Sequence, residues 1–284
     1  MIALFREGKM DQNSQKSGFS DVDRTAVPDF YVQCLNEQYA KNSVLRANKK
    51  RTFALSDVQV GHIVLDAGCG TGVDALSMAY WVGDTGHVYG IDSSHEMIKT
   101  AQNNAEPSGL PITFQQSGIY DLPFADNMFD RTRSDKVFQH LRDPQAALAE
   151  LIRVTKPGGK IIIADPDHDS LIIDTPFTEI NRRFTHFRSE QLAQGGIAHQ
   201  QYALFKQCGL IDVYAEPLTT MYTNYDEKKI TSPYLQEIWI AQKNGVVSEE
   251  EAMRWAVYVE EAILYGRFMC MQTYIITTGI KPKL

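Results

Sequence analysis

The sequence predicts a doubly wound α/β fold: a mainly parallel sheet with helices on both faces. Three observations carry this. First, Ile63-Val64-Leu65 ends in Asp66 and in Gly68, Gly70 and Gly72, after which Val73, Leu76, Ala79 and Tyr80 recur at helical spacing, so strand, tight turn and helix follow one another. Second, the apolar run Val88-Tyr89-Gly90-Ile91 ends in another acid, Asp92. Third, Asp143-Pro144 caps a helix through Leu148, Leu151 and Ile152 that stops at Lys156-Pro157-Gly158-Gly159, before the apolar strand 160–165.

The first of these turns reads as a ligand site. Glycines let the backbone turn sharply and approach a ligand closely, and the helix start offers unpaired N–H groups to a polar or anionic group. A nucleotide-like ligand is implied. A dinucleotide fingerprint requires Gly-x-Gly-x-x-Gly; counted from Gly68 its last position falls on Val73, which weighs against a nicotinamide oxidoreductase. A carboxylate at Asp92 suits the 2′- and 3′-hydroxyls of a ribose. Ser93-Ser94-His95-Glu96 then reads as a capping box of Ser93 with Glu96, opening a helix through Met97, Ile98 and Ala101.

The remaining elements follow in order. Residues 1–20 are polar and mixed, the composition of a disordered tail. Over 27–55, Phe30, Tyr31, Leu35, Tyr39, Val44 and Leu45 suit one or two short amphipathic helices. Ile112–Gln116 is a third strand. The fourth and central strand, 129–134, carries Arg131 and Arg133 two apart, hence on one face, where an apolar strand is the norm. A buried guanidinium must be paired. Asp130, Asp165 and Asp167 are the protein partners in view, and an acidic group on a ligand is the other reading for Arg133. Beyond residue 165 the chain departs from a minimal unit, with helices at 178–192 and 199–208, a strand at 211–215, an insertion at 225–267 and a last strand at 268–280.

Composition bounds the function. The 284 residues are enough for one sizeable core. Net charge is −7 and no basic stripe is visible, which argues against a nucleic-acid partner. The densest basic run, Lys49-Lys50-Arg51, reads as a solvated helix face. Cys34, Cys69, Cys208 and Cys270 lack metal-ligand spacing and read as reduced, buried thiols; no His/Asp/Glu cluster is visible that would suggest a metal. No apolar run reaches the length of a membrane span and the N-terminus lacks secretory order, so a cytoplasmic protein is expected.

Leu65-Asp66-Ala67-Gly68-Cys69-Gly70-Thr71-Gly72 closely resembles the first motif of the class I S-adenosylmethionine-dependent methyltransferases. Asp92, Leu122-Pro123-Phe124, the segment Val137-Phe138-Gln139-His140-Leu141 and the Lys-Pro-Gly-Gly turn extend the resemblance over about residues 27–282. It implies a seven-stranded, mainly parallel sheet with a C-terminal antiparallel hairpin and a helical cap. The implied layout is a single domain over 21–284, with lid helices at 21–55, a cofactor-binding core at 56–165 and cap insertions at 166–198 and 225–267. It implies S-adenosylmethionine as cofactor, S-adenosylhomocysteine as product, and a cofactor-binding set of Tyr39, Asp66, Gly68, Gly70, Asp92, Ser93, Met97, Gly118, Ile119 and Ser134. The family's adenine-contacting Asp is Gly118 here, which leaves backbone around Gly118 and Ile119 to read the adenine edge.

His140 has two readings: a general base for an acceptor hydroxyl, or a hydrogen-bonded structural histidine. The expected acceptor is a hydrophobic small molecule of specialised metabolism, with O-, N- and C-methylation all open. The insertions supply aromatics such as Phe184, Tyr225, Tyr234, Trp255, Tyr258 and Phe268, which suit an apolar pocket but serve equally as a cap core or a homodimer interface. The alternative activity is a catalytically silent S-adenosylmethionine-binding regulator.

Overall fold

The apolar runs that reach Asp66 and Asp92 become two neighbouring parallel strands. The computed structural model describes residues 22–25, 43–223 and 234–283. Tyr39, Tyr225 and the tail at 1–20 lie outside them. Helix α1 (Ser43–Ser56) leads into β1 (Ile63–Ala67), α2 (Val73–Val82), β2 (His87–Asp92), α3 (His95–Ala105), β3 (Ile112–Gln116), β4 (Phe129–Asp135), α4 (Pro144–Val154) and β5 (Thr155–Ile173). Then come α5 (Thr178–Glu190), α6 (Ile197–Gln207), β6 (Ile211–Tyr222), α7 (Tyr234–Lys243), α8 (Glu249–Leu264) and β7 (Cys270–Ile280).

One seven-stranded sheet runs β3-β2-β1-β4-β5-β7-β6. The pairs among β1 to β5 are parallel, and β7 pairs antiparallel with both β5 and β6. The strand order reverses between β1 and β4, so the C-terminal ends of β1, β2 and β4 border a crevice where open α/β sheets bind ligands.

Several local expectations shift. Strand β5 continues past Asp165 to Ile173, so sheet enters the expected insertion at 166–198, and β6 runs beyond the expected 211–215 to Tyr222; the pairing of β5 with β7 breaks register between Asp167 and Ile172. Helix α3 is capped by Ser94, whose Oγ accepts from the Met97 N–H at 3.1 Å, and not by Ser93.

The sheet packs against α4 and α6 through Leu65, Phe129, Leu148, Ile163 and Phe205. The cap has a core of its own. Phe184, Tyr234, Trp255 and Phe268 are buried there together, so these four cement cap helices to β5 and β7 and do not line an open pocket. Trp255 alone explains much of it: its ring meets Phe184 edge-on at 5.1 Å and its Nε1 donates to Asn181 Oδ1 at 2.7 Å.

Candidate cofactor and acceptor site

The glycine loop is tied to β2 from beneath. Gly68 and Cys69 N–H groups both donate to the Ile91 carbonyl at 2.8 Å, and the Gly70 N–H donates to Asp92 Oδ2 at 3.0 Å. Asp92 Oδ1 accepts from the Ser94 N–H at 2.9 Å. Asp92 therefore fixes both the loop and the start of α3; a carboxylate has about four acceptor positions, which leaves room for a ligand hydroxyl. Burial pushes its pKa up.

Gly68 is required twice over. Its φ is +78°, and a Cβ there would stand 2.2 Å from Val137 Cγ2. Gly70 is left-handed too, at φ +53°. At Gly118 a Cβ would meet open space, so the side chain the family carries there is missing without a steric reason. Ile119 and Met97 are buried, Ser93 is exposed, and buried Ser134 donates from Oγ to the Ala67 carbonyl at 2.9 Å, clipping β4 to β1 under the loop.

Under that loop lies a charge cluster that sequence reasoning missed. Arg133 Nη1 donates to Asp66 Oδ1 at 2.8 Å, and Nη2 donates to Asp74 Oδ2 at 2.6 Å and Asp135 Oδ2 at 2.5 Å. The expected partners Asp130, Asp165 and Asp167 are not used, because Arg133 points to the α1 and α2 face, where Phe53 stacks on its guanidinium at 5.2 Å. Lys49 joins the cluster, paired to Asp74 and, at 2.7 Å, to Asp135, whose other oxygen accepts from Tyr274 Oη at 2.6 Å. Lys49 is thus buried, contrary to the solvated-face reading, since α1 lies on the sheet; Arg51 stays exposed and pairs with Glu216. Arg131 turns away and pairs with Asp57 at 3.1 Å.

Asp66 Oδ2 is buried with no hydrogen-bond partner. Burial lifts the Asp66 carboxyl to about 6 against the pull of Arg133. A buried carboxylate oxygen without a donor is costly, and it lies beside the glycine loop. These features suit the cofactor: Asp66 for its ammonium, the glycine loop for its close approach, and Asp92 for its ribose.

Beyond the end of β4, His140 Nε2 lies 3.1 Å from Gln139 Nε2, which also donates to the Lys136 carbonyl at 3.1 Å. Gln139 Oε1 accepts from His168 Nε2 at 2.7 Å. The amide donor thereby takes the Nε2 lone pair of His140, and burial pushes that imidazole down to about 4. Asp165 is buried midway along β5, accepting from the Gln139 N–H at 3.2 Å and Gln201 Nε2 at 2.9 Å. Asp167, Asp169 and His199 converge here within 4.8 Å, a group that no sequence spacing signals because His199 comes from α6. Asp23, also unforeseen, reaches the start of α3, accepting from Ser94 Oγ at 2.5 Å and the His95 N–H at 2.7 Å.

Comparison with known proteins agrees with this geometry. The family described as "Methyltransferase domain" matches residues 59–233. The chain is 37% identical over 203 residues to an uncharacterized 37.1 kDa protein in transposon TN4556 of Streptomyces fradiae, covering 71% of this chain and 58% of that one. It is 38% identical over 117 residues to the ubiquinone/menaquinone biosynthesis C-methyltransferase UbiE of Bdellovibrio bacteriovorus, covering 41% of this chain and 49% of that one. The chain thus spans about half the length of these two relatives. Among solved structures, the YcgJ protein of Bacillus subtilis superposes with a TM-score of 0.61 at 22% identity, over 84% of this chain and all of that one. A phosphoethanolamine N-methyltransferase of Haemonchus contortus crystallised with S-adenosyl-L-methionine gives 0.61 at 18% identity, over 94% of this chain and 60% of that one. With the strand order, the glycine loop and its acids already in place, this chain belongs to the class I S-adenosylmethionine-dependent methyltransferases.

Proposed function

We propose that this chain transfers the methyl group of S-adenosylmethionine to a hydrophobic small-molecule acceptor held under the helical cap. The observation that carries the reading is the buried, unpaired Oδ2 of Asp66 beside a glycine loop braced by Asp92. Relatives named for ubiquinone, menaquinone and demethylmenaquinone support an apolar, ring-bearing acceptor of that general kind.

The cofactor supplies a methyl group already activated on a sulfonium, so the protein's task is alignment and exclusion of water. Asp66 would hold the ammonium and Asp92 the ribose hydroxyls, with Gly68 and Gly70 permitting close backbone contact. Gln139 would hold His140 in one orientation at the acceptor side. The half-buried Phe177 and Tyr258 rings, 5.8 Å apart and edge-on at the margin of the cap core, offer apolar surface.

Among the described residues no helix is long and apolar enough to cross a membrane, and Cys69, Cys208 and Cys270 are free thiols. These features suit a reducing, aqueous compartment. The test is a methyl-transfer screen with radiolabelled S-adenosylmethionine against lipophilic extracts, protein and RNA. Label in a lipophilic product is expected; label confined to macromolecules overturns the acceptor, and cofactor binding without transfer to any pool favours a silent binder.

A further inference from the structure

Four non-glycine residues among those described have left-handed backbone: Asp57, Asn127, Asp212 and Lys136, the last at φ +61°. Asp and Asn tolerate that region through local hydrogen bonds; a lysine has no such excuse. Lys136 follows β4 directly, one residue before the Val137 that packs on Gly68. Its N–H donates to the Ala164 carbonyl at 2.7 Å and its carbonyl accepts from Gln139 Nε2, so both neighbouring elements hold the strained turn in place. Strain held in this way belongs to functional sites more often than elsewhere.

The Lys136 ammonium has no hydrogen-bond or ion-pair partner among the described residues. Four charged groups face it: Lys49 from α1, Asp74 from α2, Asp135 from β4 and Asp165 from β5. All three acids are already engaged, Asp74 and Asp135 by Lys49 and Arg133, Asp165 by Gln139 and Gln201. Lys136 is half-buried, and desolvation together with the repulsion of Lys49 brings it down to about 8. A sulfonium bound nearby would favour the neutral amine further. His140 is the poorer proton acceptor, with its Nε2 lone pair facing the Gln139 amide.

We propose that Lys136 is the catalytic residue that takes the acceptor's hydroxyl proton, and that the acceptor is a hydrophobic phenol, quinol or enol whose oxyanion pairs with the resulting ammonium. The proposal rests on the methyl-transfer reading above. The O–H bond breaks with its electron pair left on oxygen, and an N–H bond forms at Nζ. The oxyanion, or the carbon conjugated to it, forms the new bond to the methyl carbon while the S–C pair stays on sulfur. For carbon attack, the hydrogen on that carbon leaves as a proton to solvent. Lys136 returns its proton to water.

The test uses the full chain, K136M and K136R, with 1-naphthol as probe, because its anion absorbs at longer wavelength than the neutral form. Without cofactor, the parent at pH 7.5 is expected to show the naphtholate band on binding and K136M to lack it. With labelled S-adenosylmethionine and a hydroxylated lipophilic acceptor, both variants are expected to lose about 10²- to 10⁴-fold in kcat, with cofactor affinity by calorimetry unchanged. K136R keeps the charge and cannot release a proton, so it decides the matter should K136M fail to fold. An absent naphtholate band in the parent, or variants that keep the parent's pH–rate profile, overturns the proposal; loss of cofactor binding in K136R does so too. A parent that shows the band yet methylates nothing overturns the methyl-transfer reading and leaves the Lys136 assignment standing.

Discussion

Arg133 binds one oxygen of Asp66 at 2.8 Å and leaves the other buried without a donor. That carboxylate is half satisfied, at the one place where the fold brings a glycine loop, β1 and β4 together. Burial, with the nearby Asp74 charge adding to it, raises its pKa to about 6 against the pull of Arg133.

Cofactor affinity should therefore depend on pH through Asp66. An incoming ammonium pairs with the ionised carboxylate only, so affinity is expected to rise as pH rises through about 6 and then level off. Stability has the opposite sign. Because the folded-state pKa is raised, the folded protein keeps a proton between roughly 4 and 6 that the unfolded chain has lost, and this group's contribution falls as pH rises across that window. Calorimetric titration from pH 5 to 8 reads the first effect. D66N should flatten the curve and weaken binding at pH 7.5 by about 1.5 to 3 kcal/mol; a parent curve that is already flat refutes the role.

Arg133 should be indispensable for folding where most surface arginines are not. It bridges three buried carboxylates, and R133M would leave Asp66 without its guanidinium partner, Asp74 with Lys49, and Asp135 with Lys49 and Tyr274. Removing one partner of a buried pair costs about 3 to 5 kcal/mol, a large part of a total that rarely exceeds about 15. Chemical denaturation of R133M should show that loss. The exposed pair Arg51–Glu216 gives the contrast, and R51M should leave stability close to the parent's.

The glycine loop gives a cleaner probe of the site. G68A combines left-handed backbone with a Cβ 2.2 Å from Val137, so the loop or the segment after β4 must move. G118A meets open space and should bind the cofactor as the parent does. D92A removes the acceptor for the Gly70 and Ser94 N–H groups and should weaken cofactor binding by about 1.5 to 3 kcal/mol. Equal affinities for G68A and G118A would show that the loop is not where the ligand approaches.

Much of this was legible in the sequence because the signals are local. The strands β1, β2 and β3 and the turn at Gly68 are written in contiguous residues, and so is the end of β2 at Asp92. The cluster around Arg133 was not, because its partners Asp66, Asp74 and Asp135 come from three elements, and Lys49 joins them only when α1 lies on the sheet. Lys49 read as surface for the same reason: its neighbours Lys50 and Arg51 do face solvent, and one turn of helix does not reveal which of three cations turns inward. Lys136 carried a signal of a different sort, a charged residue directly after the central strand. Its left-handed backbone and its lack of a partner are visible only in the folded chain.

The cap should prove separable from the cofactor site. Trp255 is wholly buried among Phe184 and its neighbours, and its indole N–H satisfies Asn181, so W255A leaves both a large void and an amide oxygen without its donor. Truncations of this size cost about 3 to 5 kcal/mol. The loss falls in a core distinct from the one that joins the sheet to α4 and α6. W255A is therefore expected to lower the thermal midpoint and the affinity for a lipophilic acceptor, while below that midpoint S-adenosylmethionine binding stays near the parent's. W255F keeps most of the volume and should recover stability, short of the lost hydrogen bond. Calorimetry of cofactor and acceptor on both variants checks this, and a W255A protein that loses cofactor binding as fully as acceptor binding would show cap and sheet to be one cooperative unit.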